Sequence, residues 1–334
     1  MRAAVLSGPG GELRLEDVDA PKPAAHEVLV DVLACGVCGT DLHIAHKIGA
    51  PGMILGHEIA GRIAAVGSDV SGWRVGASVA VRPFSGCERC DWCEVGRSDH
   101  CSDFQLLGLQ RAGGFAEQVA VGASHLFALP ADLRTIDQAL IEPFAVALHA
   151  LRRVDLRPTE DVLVFGAGPV GLAVTAWARA LGAGRITVCE PVGLRRDLAM
   201  QVGATAVVDT SVPGSDEAIR DMAGVPTVVM ECTGAPGVLA TGLSSACVNG
   251  RLGVVGICLG AESIVPYVGI AKELDVRFAL YYDSQDFLDT IDAFDTRRLS
   301  ANGVVTEVIS LDDLPDRFAE LVDEPDAGKV VVTP

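Results

Sequence analysis

Three things are scarce in this chain, and each scarcity removes a class of function. Positive charge is short: 26 Lys and Arg face 44 Asp and Glu, for a net charge of -18. Such a surface repels phosphate backbones and anionic headgroups, so neither nucleic acid nor a membrane is expected as a partner. Long apolar runs are missing as well. The uncharged stretch at residues 162–178 is interrupted by Gly166, Gly168, Pro169 and Gly171 and is too short to span a bilayer. The N-terminal MRAAVLSGPGGELRLEDV has no sustained apolar segment of the secretory kind, so the cytoplasm is the expected compartment. Aromatic residues make up only 5% against 37 glycines, a balance that suits aliphatic strands joined by tight turns.

What is present points to two α/β-type units, because 334 residues exceed the size at which one core usually keeps growing. Short β-rich runs at residues 27–33, 59–66 and 77–81 alternate with Gly, Pro and Asp turns, which predicts a mostly β first region of about 140 residues. From Asp161 onward strand-like and helix-like segments alternate (VLVFG, PVGLAVTAWARALGA, RITVCE, LRRDLAMQVGA), the pattern of a parallel sheet covered by helices on both faces. Helices are expected at 145–153, 285–294 and 314–322, and a strand at 329–333 that is able to close either unit.

Four of the ten cysteines crowd into GCERCDWCEVGRSDHC: Cys87, Cys90, Cys93 and Cys101. The spacing CxxCxxCx7C lets four thiolates reach one tetrahedral ion, and in a reducing compartment metal ligation is favoured over disulfides. Four cysteine ligands leave no open position, so such a site stabilises a loop and the chemistry lies elsewhere. Cys35, Cys189, Cys232, Cys247 and Cys258 stand in apolar surroundings and read as small core residues.

A second metal site is suggested by residues far apart in sequence. CGVCGTDLH and LGHE supply Cys38, Thr40, Asp41, His43, His57 and Glu58, and Glu142 lies in the otherwise apolar ALIEPFAVALHA. A carboxylate in such a stretch needs a partner. One reading makes Cys38, His57 and Glu142, with a water, an open zinc site of the catalytic type. The other makes Glu142 a carboxylate at a helix N-terminus, favoured there by the dipole.

GAGPVG follows the strand-like VLVF and opens a helix-like run. Gly166 permits the tight turn, Gly168 the approach of a pyrophosphate and Gly171 close helix–strand packing, with Pro169 and Val170 between them. Glu190, nineteen positions after Gly171, is placed to take both ribose hydroxyls and to repel a 2'-phosphate, so NAD is expected over NADP. Arg195 and Arg196 are near enough to soften that preference.

In their combined order CGVCGTDLH, GHE, GGFAEQVAV, the four-cysteine lobe, EPFAVALHA, GAGPVG and ECTG resemble the zinc-dependent alcohol and polyol dehydrogenases of the medium-chain dehydrogenase/reductase superfamily, of the sorbitol and butanediol dehydrogenase type. The resemblance implies a GroES-like β-rich catalytic domain at residues 1–145, with its zinc lobe at about 84–104. It further implies a Rossmann doubly wound NAD domain at 146–280 and a return to the catalytic domain at 281–334. It implies two zinc ions per subunit: a catalytic one on Cys38 and His57, with Glu58 and Glu142 able to join, and a structural one on Cys87, Cys90, Cys93 and Cys101. Asp41 is implied to orient His57, and Thr40 and His43 to relay a proton by way of the cofactor ribose. A homo-dimer or homo-tetramer acting on a small alcohol or ketone follows from the same resemblance. Tyr281 stands where sorbitol dehydrogenases commonly carry an arginine, and Ile44 where many carry an aromatic residue; both changes favour a less hydroxylated or cyclic secondary alcohol. Two other readings compete: a zinc hydrolase on a vestigial nucleotide-binding scaffold, and a nucleotide sensor without catalysis.

Overall fold

The structure is a computed structural model, and it describes residues 1–8, 10–323 and 327–334. Residues 162–278 build a six-stranded sheet in the order Ala206–Val208, Ile186–Cys189, Val162–Phe165, Val228–Glu231, Arg251–Val254, Asp275–Phe278. Every neighbouring pair in it is parallel. Val162–Phe165, Ile186–Cys189 and Val228–Glu231 are buried at every position, as strands covered on both faces must be. Reading outward from Val162–Phe165, the chain runs one way through two strands and the other way through three. The crevice where that direction reverses, at the C-terminal end of Val162–Phe165, is where such sheets take ligands.

A seven-stranded sheet carries most of the rest: Val305–Ser310, Lys329–Thr333, Glu27–Gly36, Glu58–Val66, Ser78–Val81 and Leu126–Ala128 in order, with Gln118–Gly122 also paired to Glu27–Gly36. The strand Lys329–Thr333 lies antiparallel to Glu27–Gly36, with Val331 opposite Gly36 and Val332 opposite Cys35. The tail therefore closes the first sheet, an alternative the sequence left open. On its other side Glu27–Gly36 pairs with Glu58–Val66, and Gly36 faces Glu58.

The helix Ile141–Arg153 joins the two halves. It begins four residues earlier than the apolar pattern predicts, which puts Glu142 in its first turn, and the Phe144 carbonyl accepts a 2.9 Å hydrogen bond from the Trp177 indole of the nucleotide-side helix Pro169–Ala180. Phe144 also meets Phe294, on Ser284–Asp295, edge to face at 5.0 Å. Sequence periodicity missed the helix Gly39–Lys47, because its nine residues are mostly polar and open on a glycine. Among the described residues no helix is long and apolar enough to cross a membrane.

Candidate active site and metal centres

The first metal-type cluster is local. Phe84–Ser85 pairs with Gln105–Leu106, and the loop between them folds back so that the sulfurs of Cys87, Cys90, Cys93 and Cys101 lie within 4.8 Å of one another. Sulfurs at about 2.3 Å from a tetrahedral zinc stand about 3.8 Å apart, and the Cys90 and Cys101 sulfurs are 3.8 Å apart. Disulfide sulfurs sit at about 2 Å, and all ten cysteines are free thiols. Backbone amides are directed at the sulfur: Cys101 Sγ accepts hydrogen bonds at 3.3 Å from the amides of Cys87 and Asp103. The Arg89 amide draws the Cys87 thiol down to about 7, whereas desolvation, aided by the Cys90 thiol, pushes Cys93 up to about 11. Gly86 cannot be larger, since a Cβ there would lie 2.7 Å from Cys93 Sγ. These residues fit a structural zinc.

The second cluster is assembled from distant parts. Cys38 precedes Gly39–Lys47 as its N-cap, and its amide donates to the Asp41 carboxylate at 2.9 Å. Glu58 opens the strand Glu58–Val66 and His57 immediately precedes it, and the ligand atoms of Cys38, His57 and Glu58 all lie within 4.8 Å of one another. Asp41 is fully buried, and its Oδ1 lies 3.2 Å from His57 Nδ1 while accepting the Gly56 amide at 3.1 Å. Burial alone would lower the His57 pKa; the Asp41 carboxylate and the Cys38 thiol outweigh it and hold it well above the ordinary histidine range. A thiol, an imidazole and a carboxylate gathered at one point suit zinc by donor type as well as by spacing.

Glu142 stands beside that trio without belonging to its tight group. It is 6% exposed, and burial raises its pKa to about 7 even though His57 pulls the other way. Tyr282, whose buried hydroxyl has no aligned hydrogen-bond partner, neighbours it; burial and Glu142 push that phenol well above its usual value. Glu142 thus lies in the first turn of a helix and beside a polar cluster.

The glycine motif forms the strand-to-helix turn. Gly166 has φ of +92°, and a Cβ on Gly171 would fall 2.0 Å from the Gly166 carbonyl oxygen, so neither position admits a side chain without rearrangement. Nothing lies within 4 Å of a Cβ position on Gly168, which leaves an open approach to the N-terminus of Pro169–Ala180. Glu190 is 3% exposed, and its carboxylate accepts the amides of Ala167 at 2.7 Å and Val192 at 3.0 Å, which locks it against the turn. These features fit a dinucleotide. Arg195 donates from Nε to the Ala327 carbonyl at 2.8 Å, and Arg196 is paired with Asp209 at 2.8 Å.

Both constellations open onto one pocket of about 250 Å³, lined by Cys38, His57 and Glu142 on one part of its wall and by Gly168, Pro169 and Val170 on another. Thr40 and His43, three apart on Gly39–Lys47, also line it. Of the two substitutions read as substrate determinants only Tyr281 reaches the pocket; Ile44 is 5% exposed and packs in the core of the first sheet. Cys35 and Cys189 are buried as expected, but Cys232, Cys247 and Cys258 are only part buried, and Cys232 lines the pocket. Sequence reasoning also missed Lys329, which is 1% exposed at the pocket wall with Nζ bonded to Glu58. Its only sequence signal is a lysine opening an apolar strand.

Residues 24–131 match the family model of the alcohol dehydrogenase GroES-like domain, and residues 169–296 that of the zinc-binding dehydrogenase. A sorbitol dehydrogenase of Bacillus subtilis is 34% identical over 95% of this chain and 92% of its own. The crystal structure of a 2R,3R-butanediol dehydrogenase from Bacillus subtilis superposes with a TM-score of 0.90 at 31% identity, covering 100% of this chain and 99% of that one. A zinc-binding dehydrogenase of Sinorhizobium meliloti, solved with NADP, does so with a TM-score of 0.91 at 31% identity, covering 100% and 99%. With both metal-type clusters and the dinucleotide turn in place, the chain belongs to the zinc-binding alcohol dehydrogenases, enzymes that use zinc and NAD(P) and combine a GroES-like domain with a Rossmann-type one.

Proposed function

We propose that the chain interconverts a secondary alcohol and its ketone, with NAD favoured over NADP. Cys38 and His57 hold the catalytic zinc with Glu58 or Glu142, and Cys87, Cys90, Cys93 and Cys101 hold the structural one. The observation that carries this reading is the shared pocket, in which the Cys38–His57 cluster and the glycine turn face the same space. When bound there, zinc supplies a Lewis acid for the alcohol oxygen and the dinucleotide accepts the hydride.

The chain's own residues do the rest. Asp41 keeps His57 in one orientation, so that its second ring nitrogen is the one presented to the metal. Thr40 and His43 lie on one face of their helix, Thr40 half-buried and His43 exposed, an arrangement suited to passing a proton outward. Desolvation lowers the His43 pKa, which keeps the ring neutral and able to accept. Glu190 takes the adenosine ribose, and its buried negative charge disfavours a 2'-phosphate; Arg195 contributes at the edge of that site.

Leu106, Ile257 and Leu280 join Tyr281 on the pocket wall, an apolar lining that supports a less hydroxylated or cyclic secondary alcohol over a linear sugar polyol. The division into 1–145, 146–280 and 281–334 accounts for the two sheets and the returning tail. A homo-dimer or homo-tetramer is supported by the edge strand Asp275–Phe278, where Phe278 is 66% exposed, and by the preceding helix Pro266–Lys272, where Tyr267 and Ile270 are 73% and 70% exposed. Ten free thiols suit the cytoplasm.

The test is formation of NADH by purified protein on a panel of cyclic and vicinal diols and simple secondary alcohols. Cys38→Ser and His57→Ala are expected to abolish turnover while NAD still binds. Retained turnover in either, or ester hydrolysis with no NADH signal, overturns the reading.

A further inference from the structure

Lys329 is buried beside the metal cluster, in a place the reaction itself does not call for. Its ammonium donates to Glu58 Oε1 at 2.6 Å, to Glu58 Oε2 at 2.8 Å and to the Val37 carbonyl at 2.9 Å, so all three of its protons are committed. Both side chains are 1% exposed, so the pair is shut off from water. The sheet makes the contact possible. Gly36 stands between Val331 and Glu58 in the three-strand register, and a Cβ there would lie 1.9 Å from Glu58 Oε2. The missing side chain leaves the space in which the Glu58 carboxylate lies against the lysine.

Glu58 therefore faces two cations, Lys329 and whatever ion Cys38 and His57 hold, and both draw on the same pair of oxygens. An ammonium that engages both weakens the carboxylate as a metal ligand. We propose that Lys329 is a positioning residue that restrains Glu58 from filling the open coordination position the alcohol needs, an inference that rests on the reading of Cys38 and His57 as catalytic zinc ligands. Remove the lysine charge, and the buried carboxylate is left uncompensated with the metal as its remaining partner. It then closes the metal's open side.

The experiment compares wild type, Lys329→Met, Lys329→Gln, Lys329→Arg, Glu58→Gln and the double variant Glu58→Gln/Lys329→Met. Zinc content is measured by elemental analysis and zinc release by a chelating dye, with Cys38→Ser identifying the catalytic fraction. The neutral variants are expected to release that fraction about tenfold more slowly than wild type, with kcat reduced and NAD affinity unchanged. Lys329→Arg restores the wild-type rate, and in the Glu58→Gln background the lysine change adds nothing. Release at or above the wild-type rate, slowing that persists without Glu58, or loss of fold or of catalytic zinc in both neutral variants overturns the proposal. Wild-type protein that carries one zinc, unchanged by Cys38→Ser, overturns the site reading instead.

Discussion

The rings of Phe84 and Tyr281 pack with centroids 4.7 Å apart, and Phe104 meets the same tyrosine at 5.4 Å. Phe84 and Phe104 bracket the four-cysteine lobe, and Tyr281 lines the pocket with φ of +54°, a left-handed conformation its neighbours must hold in place. The lobe thus supports one wall of the pocket from behind.

Loss of one sulfur ligand is expected to act on stability first. Cys93→Ser should lower the melting temperature by about 5 °C or more and raise KM for the alcohol more than it lowers kcat, because the tyrosine wall loosens while Cys38 and His57 stay put. Calorimetry with steady-state kinetics checks this. An unchanged melting temperature with collapsed kcat would contradict a structural role.

Glu190 is the expected source of NAD preference. Glu190→Gln keeps the shape but loses the charge, and should weaken NAD by about 1–2 kcal/mol, near tenfold, while improving the relative affinity for NADP. Titration with both cofactors reads the ratio; a variant that still prefers NAD by the wild-type margin would place the discrimination elsewhere.

Gly36→Ala puts a methyl where the Glu58 carboxylate lies. Overpacking of this kind costs about 1–3 kcal/mol, and the displaced carboxylate should change zinc content at the catalytic site while leaving the four-cysteine site filled. Denaturation and elemental analysis measure the two effects separately.

Glu27 offers a pH prediction away from both metal sites. Burial would raise its pKa, but the Ala24 amide and the Arg111 guanidinium outweigh it, with His26 adding, so the folded-state value is depressed. A depressed carboxylate contributes stability that is present above the unfolded value, near pH 4, and is lost as pH falls through the folded one. The stability gap between wild type and Glu27→Gln should therefore be wide at neutral pH and narrow on acidification below about pH 4. A gap that stays constant across that range would show the pair contributes nothing to acid sensitivity.

How much could be read from sequence depended on how far apart the partners lie. The four-cysteine lobe and GAGPVG were legible because fewer than twenty neighbouring residues carry the whole geometry in each case. Cys38, His57 and Glu142, far apart in the chain, read as ligands only in company and through the family resemblance. Lys329 was not legible: its partner is 271 residues away, and KVVVT reads as an ordinary strand. The helix Gly39–Lys47 was missed for a different reason, since tertiary packing and the Asp41 cap stabilise a segment with weak periodicity of its own.

The insertion of Lys329–Thr333 beside Glu27–Gly36 fixes an order of assembly. The nucleotide-side sheet is contiguous in sequence and can form as it leaves the ribosome. Its older neighbour must wait, holding an unpaired strand edge, until a segment translated some three hundred residues later arrives to complete it. Nascent chains halted before that segment should bind dinucleotide yet expose Glu58 to solvent, which would make the proposed metal site the last part of the molecule to mature.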